Sequence, residues 1–492
     1  MKKRPNLIYV LADDLGYGDV SCLNPDAAWS TPAFDRLGRE GLRFTDAHAS
    51  SAVCTPSRYS ILTGRYNWRS RLKHSVMGGY SPALIEEGRP TVATLLRDAG
   101  YRTACVGKWH LGMDWAREAR APVGAVREAP AFGSTEGIDY AAPIANGPVT
   151  RGFDYYYGIS ASLDMPPYVY IENDRATELP DRETEDAGQR FWRRGPTAPG
   201  FRHEEVLPRL TRTALDLIDE WSDDPFFLYF PLPAPHTPIL PVGDFVGKSG
   251  TNAYGDFVLM CDDAVAQLLA KLDEKGIADD TIVVFTSDNG CSPTADFQTL
   301  ATFGHRPSYV FRGAKADIYE GGHRIPLLIR WPGGIAPGSR CDETVCLVDL
   351  FATMADVLGA DIPDDAAEDS VSNLPLWQGT AHDGPLREAT VHHSVDGSFS
   401  IRRGRWKLEL CPGSGGWSDP RPGQEPPGSP AFQLYDLHSD VGERRNLVDE
   451  RPEVVDELKA TLARYVTSGR STLGVPQPNT GPEWWDQLSW MG

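Results

Sequence analysis

Five short apolar runs punctuate the chain: NLIYVLA at 6–12, RTACVG at 102–107, FFLYF at 226–230, TIVVFT at 281–286 and IPLLIRW at 325–331. Each is bounded by polar or turn-forming residues, the pattern of strands buried on both faces. Helical periods lie between them. In VLPRLTRTALDLIDEW, Leu207, Leu210, Leu217 and Trp221 fall near one face, and DDAVAQLLAKLDEKG ends in Gly276, a C-capping signal. Strand alternating with helix predicts an α/β architecture: a large, mostly parallel sheet flanked by helices, with any chemistry just beyond the carboxyl ends of the strands.

After a helical LVDLFATMADVLGA the pattern changes near LPLWQGT. Two strand-like runs follow, SFSIRRGRWKLELC and AFQLYDL, separated by the Pro/Gly-rich GSGGWSDPRPGQEPPGSP, and then a helix near PEVVDELKATLARYV. The expected organisation is a catalytic-type α/β domain over 1–375 and a smaller C-terminal α+β domain over 376–492, carrying a short antiparallel sheet. Residues 112 to 200, rich in Gly, Pro and charge, are expected to form long loops over the large sheet. The terminal GPEWWDQLSWMG fits either a fold-back onto the body or an oligomer contact.

Composition narrows the field. With 48 basic and 68 acidic side chains, a formal charge of −20, the 492-residue chain repels polyanions, so nucleic acid is not expected as a partner. An anionic substrate needs a local basic pocket. The eight cysteines include no CxxC pair and no zinc spacing, so neither a disulfide framework nor a structural zinc is expected. No run reaches the length of a membrane span. The beginning, MKKRPNLIYVLADD, reads as a first strand and not as a leader. A complete chain is therefore expected in the cytoplasm, and one that has lost a signal in the periplasm or outside the cell.

Candidate chemistry gathers at strand ends. The first run closes on Asp13-Asp14 and the fourth on Asp288-Asn289, giving three carboxylates and an amide oxygen, hard ligands suited to Ca²⁺ or Mg²⁺. Without a cation, three adjacent carboxylates would repel one another strongly. Lys108 and His110 in VGKWHLG stand two apart, which on an extended segment points both the same way. His236 follows the third long strand, and Lys315 lies in FRGAKADIYEGGHRIP. Together with Arg58 these cations and histidines suit a tetrahedral oxyanion ester, since positive groups neutralise its oxygens and a histidine protonates the leaving oxygen.

One stretch gives the set a name. Cys54-Thr55-Pro56-Ser57-Arg58, followed by LTG, resembles the Cys-x-Pro-x-Arg signature of the type I, formylglycine-dependent sulfatases. YVLADDLGYGD, GKWHLG, PHTP, TSDNG, FRGAKADIYEGGHRIPLLIRWPG and YDLHSDVGERRNL follow that family's order along nearly the whole chain. The resemblance implies an alkaline phosphatase-like fold and hydrolysis of a sulfate monoester. It implies that Cys54 is converted to formylglycine by a transient partner, a maturation enzyme. It further implies that Asp13, Asp14, Asp288 and Asn289, with residue 54, hold one Ca²⁺. Arg58 then stabilises residue 54, Lys108 and Lys315 hold sulfate oxygens, and His110 and His236 transfer protons. A sulfated carbohydrate is the expected substrate, an aryl sulfate the simpler one, with Asp164, His305 and Arg306 as candidate sugar-binding residues. Two alternatives stay open: a phosphodiesterase or phosphonate monoester hydrolase of the same superfamily, and a sulfated-glycan-binding protein without turnover.

Overall fold

The computed structural model describes residues 4–117 and 136–491. Its centre is a ten-stranded sheet. Five strands, Thr281–Ser287, Asn6–Asp13, Phe226–Pro235, Arg102–Lys108 and Tyr155–Ile159, lie side by side and parallel. Leu7, Ile8, Val10 and Leu11 of the first strand are fully inaccessible, each contributing roughly 1.5–3 kcal/mol by burial. Helices cover both faces, as a parallel sheet requires. In one layer Pro32–Glu40 and Val206–Trp221 pack on Ala253–Glu274; in another Cys54–Thr63, Val92–Asp98 and Leu350–Leu358 pack together.

The sheet is more mixed than the expected, mostly parallel one. Leu327–Arg330 runs antiparallel to Thr281–Ser287. A parallel return needs a crossover to the far end of the sheet. Here the chain from 288 to 326 leaves and re-enters the sheet at the carboxyl ends of the parallel strands. The region expected to be loops adds strand Tyr155–Ile159 to the large sheet and forms a hairpin of Arg182–Asp186 with Trp192–Thr197. Residues 118–135 of that region lie outside the described residues.

The second sheet is antiparallel, in the order Thr390–His393, Phe399–Arg403, Trp406–Glu409, Gln433–Asp436. The expected change at 375/376 falls inside the short helix Leu374–Gln378 between the two sheets. Helix Pro452–Ser468 closes a separate core of Phe399, Ile401, Leu408, Leu434, Leu458 and Leu462. Trp485, Leu488 and Trp490 of the terminal segment join that core, so the tail folds back on the body.

Buried charges bind the two sheets together. Arg324 and, from the second sheet, Arg402 converge on Asp46. Lys407 reaches across to the Ile318 carbonyl at 2.9 Å and to Glu443 at 2.6 Å. This clamp grips the chain three residues beyond Lys315. Among the described residues no helix is long and apolar enough to cross a membrane.

Candidate active site

The site is assembled where the parallel strands end. Asp13 closes Asn6–Asp13, Lys108 closes Arg102–Lys108, and Asp288-Asn289 follow Thr281–Ser287 directly. Asn289 must be followed by a residue without a side chain, because a Cβ on Gly290 would stand 1.9 Å from the Gly321 carbonyl oxygen. The backbone then turns under strain. Asp14, His110 and Ala316 adopt φ of 64°, 56° and 80°, a left-handed region that non-glycine residues seldom enter and that concentrates at functional sites.

Helix Cys54–Thr63 brings in the fourth component. Its first residue is Cys54, every residue in it is buried, and Gly64 at φ 66° ends it. Pro56 in the first turn needs no intrahelical partner. One turn along, Arg58 is wholly buried and donates from Nε and Nη2 to Asp288 Oδ2 at 3.0 and 2.7 Å and from Nη1 to the Lys108 carbonyl at 3.0 Å. Thus Arg58 ties the helix to two strand ends.

Around Cys54 Sγ stand Asp13 Oδ1 at 3.4 Å and Lys315 Nζ at 3.6 Å. Lys108 Nζ donates to Asp13 Oδ2 at 2.6 Å, and Lys315 Nζ lies 2.6 Å from Asp14 Oδ1. His236 Nε2 is 3.6 Å from Asp14 Oδ2. Ligating atoms of Asp13, Asp14, Cys54 and His236 all lie within 4.8 Å of one another. Beside them Asn289 donates through Nδ2 to Asp14 Oδ1 at 2.8 Å while its buried Oδ1 has no partner.

The electrostatics follow from burial. Burial would raise the Asp13 carboxyl, yet Lys108, His236 and Arg58 hold it well below the usual range. Burial and Asp13 push Asp288 up to about 6 against the pull of Arg58. Burial, with Asp288, pushes the Cys54 thiol well above its ordinary value, so the unmodified thiol is a poor nucleophile. Lys315 is held charged by Asp14 despite its burial. Burial, then Lys108 and Arg58, push His110 well below its ordinary value and keep its ring neutral. Its Nε2 bonds the Met77 carbonyl at 2.7 Å, leaving Nδ1 buried without a partner and able to accept a proton.

Three carboxylates and an orphaned amide oxygen, enclosed by cations that neutralise them, fit a hard metal ion. Asp13 and Asp14 belong to the cluster of ligating atoms around Cys54, and the orphaned Asn289 Oδ1 stands beside it.

Of the sugar-binding candidates, Asp164 lies at the site: Ser162 bonds both Lys108 Nζ and His236 Nδ1 at 3.2 Å, and Asp164 follows two residues on. Its Oδ1 is buried and unpartnered, and its Oδ2 pairs with Arg193. His305 does not reach the site. Its ring is inaccessible, tilted against Trp29 with centroids 3.8 Å apart, with Nε2 2.8 Å from Asp19 Oδ1 and Nδ1 accepting from the Ala28 amide, so both nitrogens are engaged. Its neighbour Arg306 is exposed and lines a different hollow. Sequence reasoning missed Ser162 and Arg193; a serine just past a parallel strand was the available signal for the first, and none existed for the second. Lys108 and His110 do converge, through the left-handed turn at His110 and not through strand alternation, since the strand ends at Lys108.

Comparison with known proteins agrees with this geometry. The sulfatase family model matches residues 5–360. This chain is a sulfatase. A second model, the C-terminal region of N-sulphoglucosamine sulphohydrolase, matches 314–410. The sulfatase is 32% identical to an N-acetylgalactosamine-6-O-sulfatase of Bacteroides thetaiotaomicron over 94% of each chain. It is 31% identical to human arylsulfatase A over 95% of this chain and 90% of the relative. A solved structure from work on metabolism of multiple glycosaminoglycans by Bacteroides thetaiotaomicron superposes with a TM-score of 0.79 at 31% identity, over 94% of this chain and 99% of the other. The sulfatase is a sulfuric ester hydrolase of the alkaline phosphatase superfamily.

Proposed function

We propose that this sulfatase removes sulfate from a sulfated carbohydrate, with residue 54 as formylglycine and one Ca²⁺ held by Asp13, Asp14, Asp288 and Asn289 together with residue 54. The observation that carries the reading is the convergence of three carboxylates, two lysines and an arginine on a cysteine whose own thiol is disfavoured as a nucleophile. A bound dication supplies neutralising charge for the oxygens there.

The chain's own groups supply the rest. Lys108 and Lys315 pair with sulfate oxygens. One hydroxyl of the hydrated aldehyde at residue 54 passes its proton to Asp13, the carboxylate beside that side chain, and attacks sulfur; the S–O bond to the sugar breaks, and His236 delivers a proton to the departing oxygen. The remaining hydroxyl then yields its proton to His110 Nδ1, the C–O bond to sulfate breaks, and aldehyde and sulfate result. Water adds to the aldehyde to restore the hydrate, so no water attacks sulfur. The maturation enzyme that makes the aldehyde is a transient partner.

Asp164 supports a sugar: its free, buried Oδ1 beside His236 suits a hydroxyl next to the leaving oxygen, and the relatives named above include an enzyme for N-acetylgalactosamine 6-sulfate. Sulfate release from defined sulfated monosaccharides, an aryl sulfate and an aryl phosphodiester tests the assignment. Asp164→Ala is expected to lower kcat/KM for the preferred sugar roughly 10- to 100-fold, the worth of a hydrogen bond to a charged group. It is expected to leave aryl sulfate turnover within a few-fold. Equal loss on both substrates, or faster turnover of the phosphodiester, would contradict the proposal.

A further inference from the structure

A hollow of about 610 Å³ opens between the segment 306–312 and the loop 442–444 of the C-terminal domain. None of the active-site residues described above lines it. Three guanidinium groups, Arg306, Arg312 and Arg444, surround it, and Tyr309, Val310 and Phe311 give it an apolar wall. In a chain of net charge −20 such a concentration of positive charge is local and specific.

The three arginines differ in a way that suits ligand capture. Arg312 is fixed: it donates to the Tyr435 hydroxyl at 3.2 Å and the Glu443 carbonyl at 2.9 Å, and it stacks 3.8 Å over the Tyr319 ring. Arg306 and Arg444 are exposed, and neither side chain has a hydrogen bond or ion pair with another described residue. The acidic groups nearby are already engaged. Glu443 accepts from Lys407 Nζ at 2.6 Å and from the Glu320 amide at 2.7 Å, and Asp440 accepts from the Arg444 and Arg445 amides at 2.7 and 2.8 Å. Glu443, the carboxylate among the hollow's lining residues, is thus held by Lys407 and the Glu320 amide.

The hollow shares a chain segment with the catalytic machinery. Arg312 precedes Lys315 by three residues, and the Pro307 carbonyl accepts from the Gly18 amide at 2.7 Å, in the turn that follows Asp13-Asp14. One segment therefore carries a sulfate-facing lysine at one end and the hollow's arginines at the other.

We infer that this hollow is a second anion-binding site, remote from the scissile bond, that holds a further sulfate group of a polysulfated glycan chain whose terminal or neighbouring sulfate occupies the active site. The guanidinium groups pair with sulfate oxygens, and Tyr309, Val310 and Phe311 cover the apolar face of a sugar ring. The inference rests on the carbohydrate reading above and extends it from a monosaccharide unit to a chain.

Two measurements on the full chain test it. The first is calorimetric binding of a sulfated hexasaccharide, its desulfated counterpart and inorganic sulfate to the Cys54→Ala protein, with and without Arg306→Ala and Arg444→Ala together. The expected result is sulfate-dependent hexasaccharide binding that weakens about tenfold in the arginine variant and is screened out near 1 M salt. Undiminished binding in that variant, or occupancy by inorganic sulfate with no affinity for the hexasaccharide, overturns the inference. The second is kinetic: in the otherwise native enzyme the two substitutions are expected to raise KM for the hexasaccharide about tenfold and leave a sulfated monosaccharide unaffected. An equal change in both overturns it. Failure of the enzyme to desulfate any sugar would refute the carbohydrate reading, while the binding measurement would still judge the hollow.

Discussion

At the scale of single residues, the site is a charge-balanced cluster in which each group depends on its neighbours. Arg58 shows this best, since its planar fork holds Asp288 twice and the Lys108 carbonyl once. A lysine carries the same charge without the fork. Arg58→Lys is therefore expected to lower kcat roughly 100-fold or more, the scale of losing one preorganised donor to developing charge. Steady-state kinetics alongside a melting curve checks it; an active, equally stable variant would contradict the role. Most of this cluster was legible in the sequence because Asp13, Asp14, Lys108, Asp288 and Asn289 sit where apolar runs stop, and strand ends are visible without a structure. Ser162 and Arg193 were not, because their partners lie far away along the chain. His305 was misplaced for a related reason: FGHRPS reads as an exposed loop, and only the fold shows the ring turned inward onto Asp19 and Trp29.

At the scale of elements, the parallel direction of the first four apolar runs was readable and the reversal of the fifth was not. IPLLIRW announces a strand, yet nothing in it records that the preceding segment leaves and re-enters the sheet at the same end, which makes the return antiparallel. Thr390–His393 escaped notice because a strand containing two histidines does not look apolar, although all four of its residues are buried. The junction between sheets carries a measurable consequence. Burial would raise the Asp46 carboxyl, but Arg324 and Arg402 hold it far below its ordinary value. A depressed carboxyl stabilises the fold above the unfolded-state value, near pH 4, and loses that contribution as pH falls toward the folded value. Asp46→Asn is expected to cost about 3–5 kcal/mol at neutral pH, the scale of breaking a buried pair. In urea unfolding across a pH series the gap to the native protein should narrow below about pH 4. A gap independent of pH would show that the pair is not what joins the sheets there.

At the scale of the whole molecule, the large sheet supplies the carboxylates and lysines, one buried helix supplies residue 54, and the C-terminal domain braces the segment that carries Lys315 through Lys407. Family membership and sulfate ester hydrolysis were legible from motif order, since the pieces of this site occur in sequence along nearly the whole chain. The chemical state of residue 54 was not, because a codon for cysteine reads the same before and after maturation. That state is the central claim, and one experiment addresses it: peptide mass analysis of the segment containing residue 54, in preparations made with and without a formylglycine-generating enzyme, set against turnover of a sulfate ester. The account predicts that turnover rises in proportion to the fraction of aldehyde or hydrate and vanishes in protein that retains only the thiol. Full turnover by protein carrying only unmodified Cys54 would contradict it.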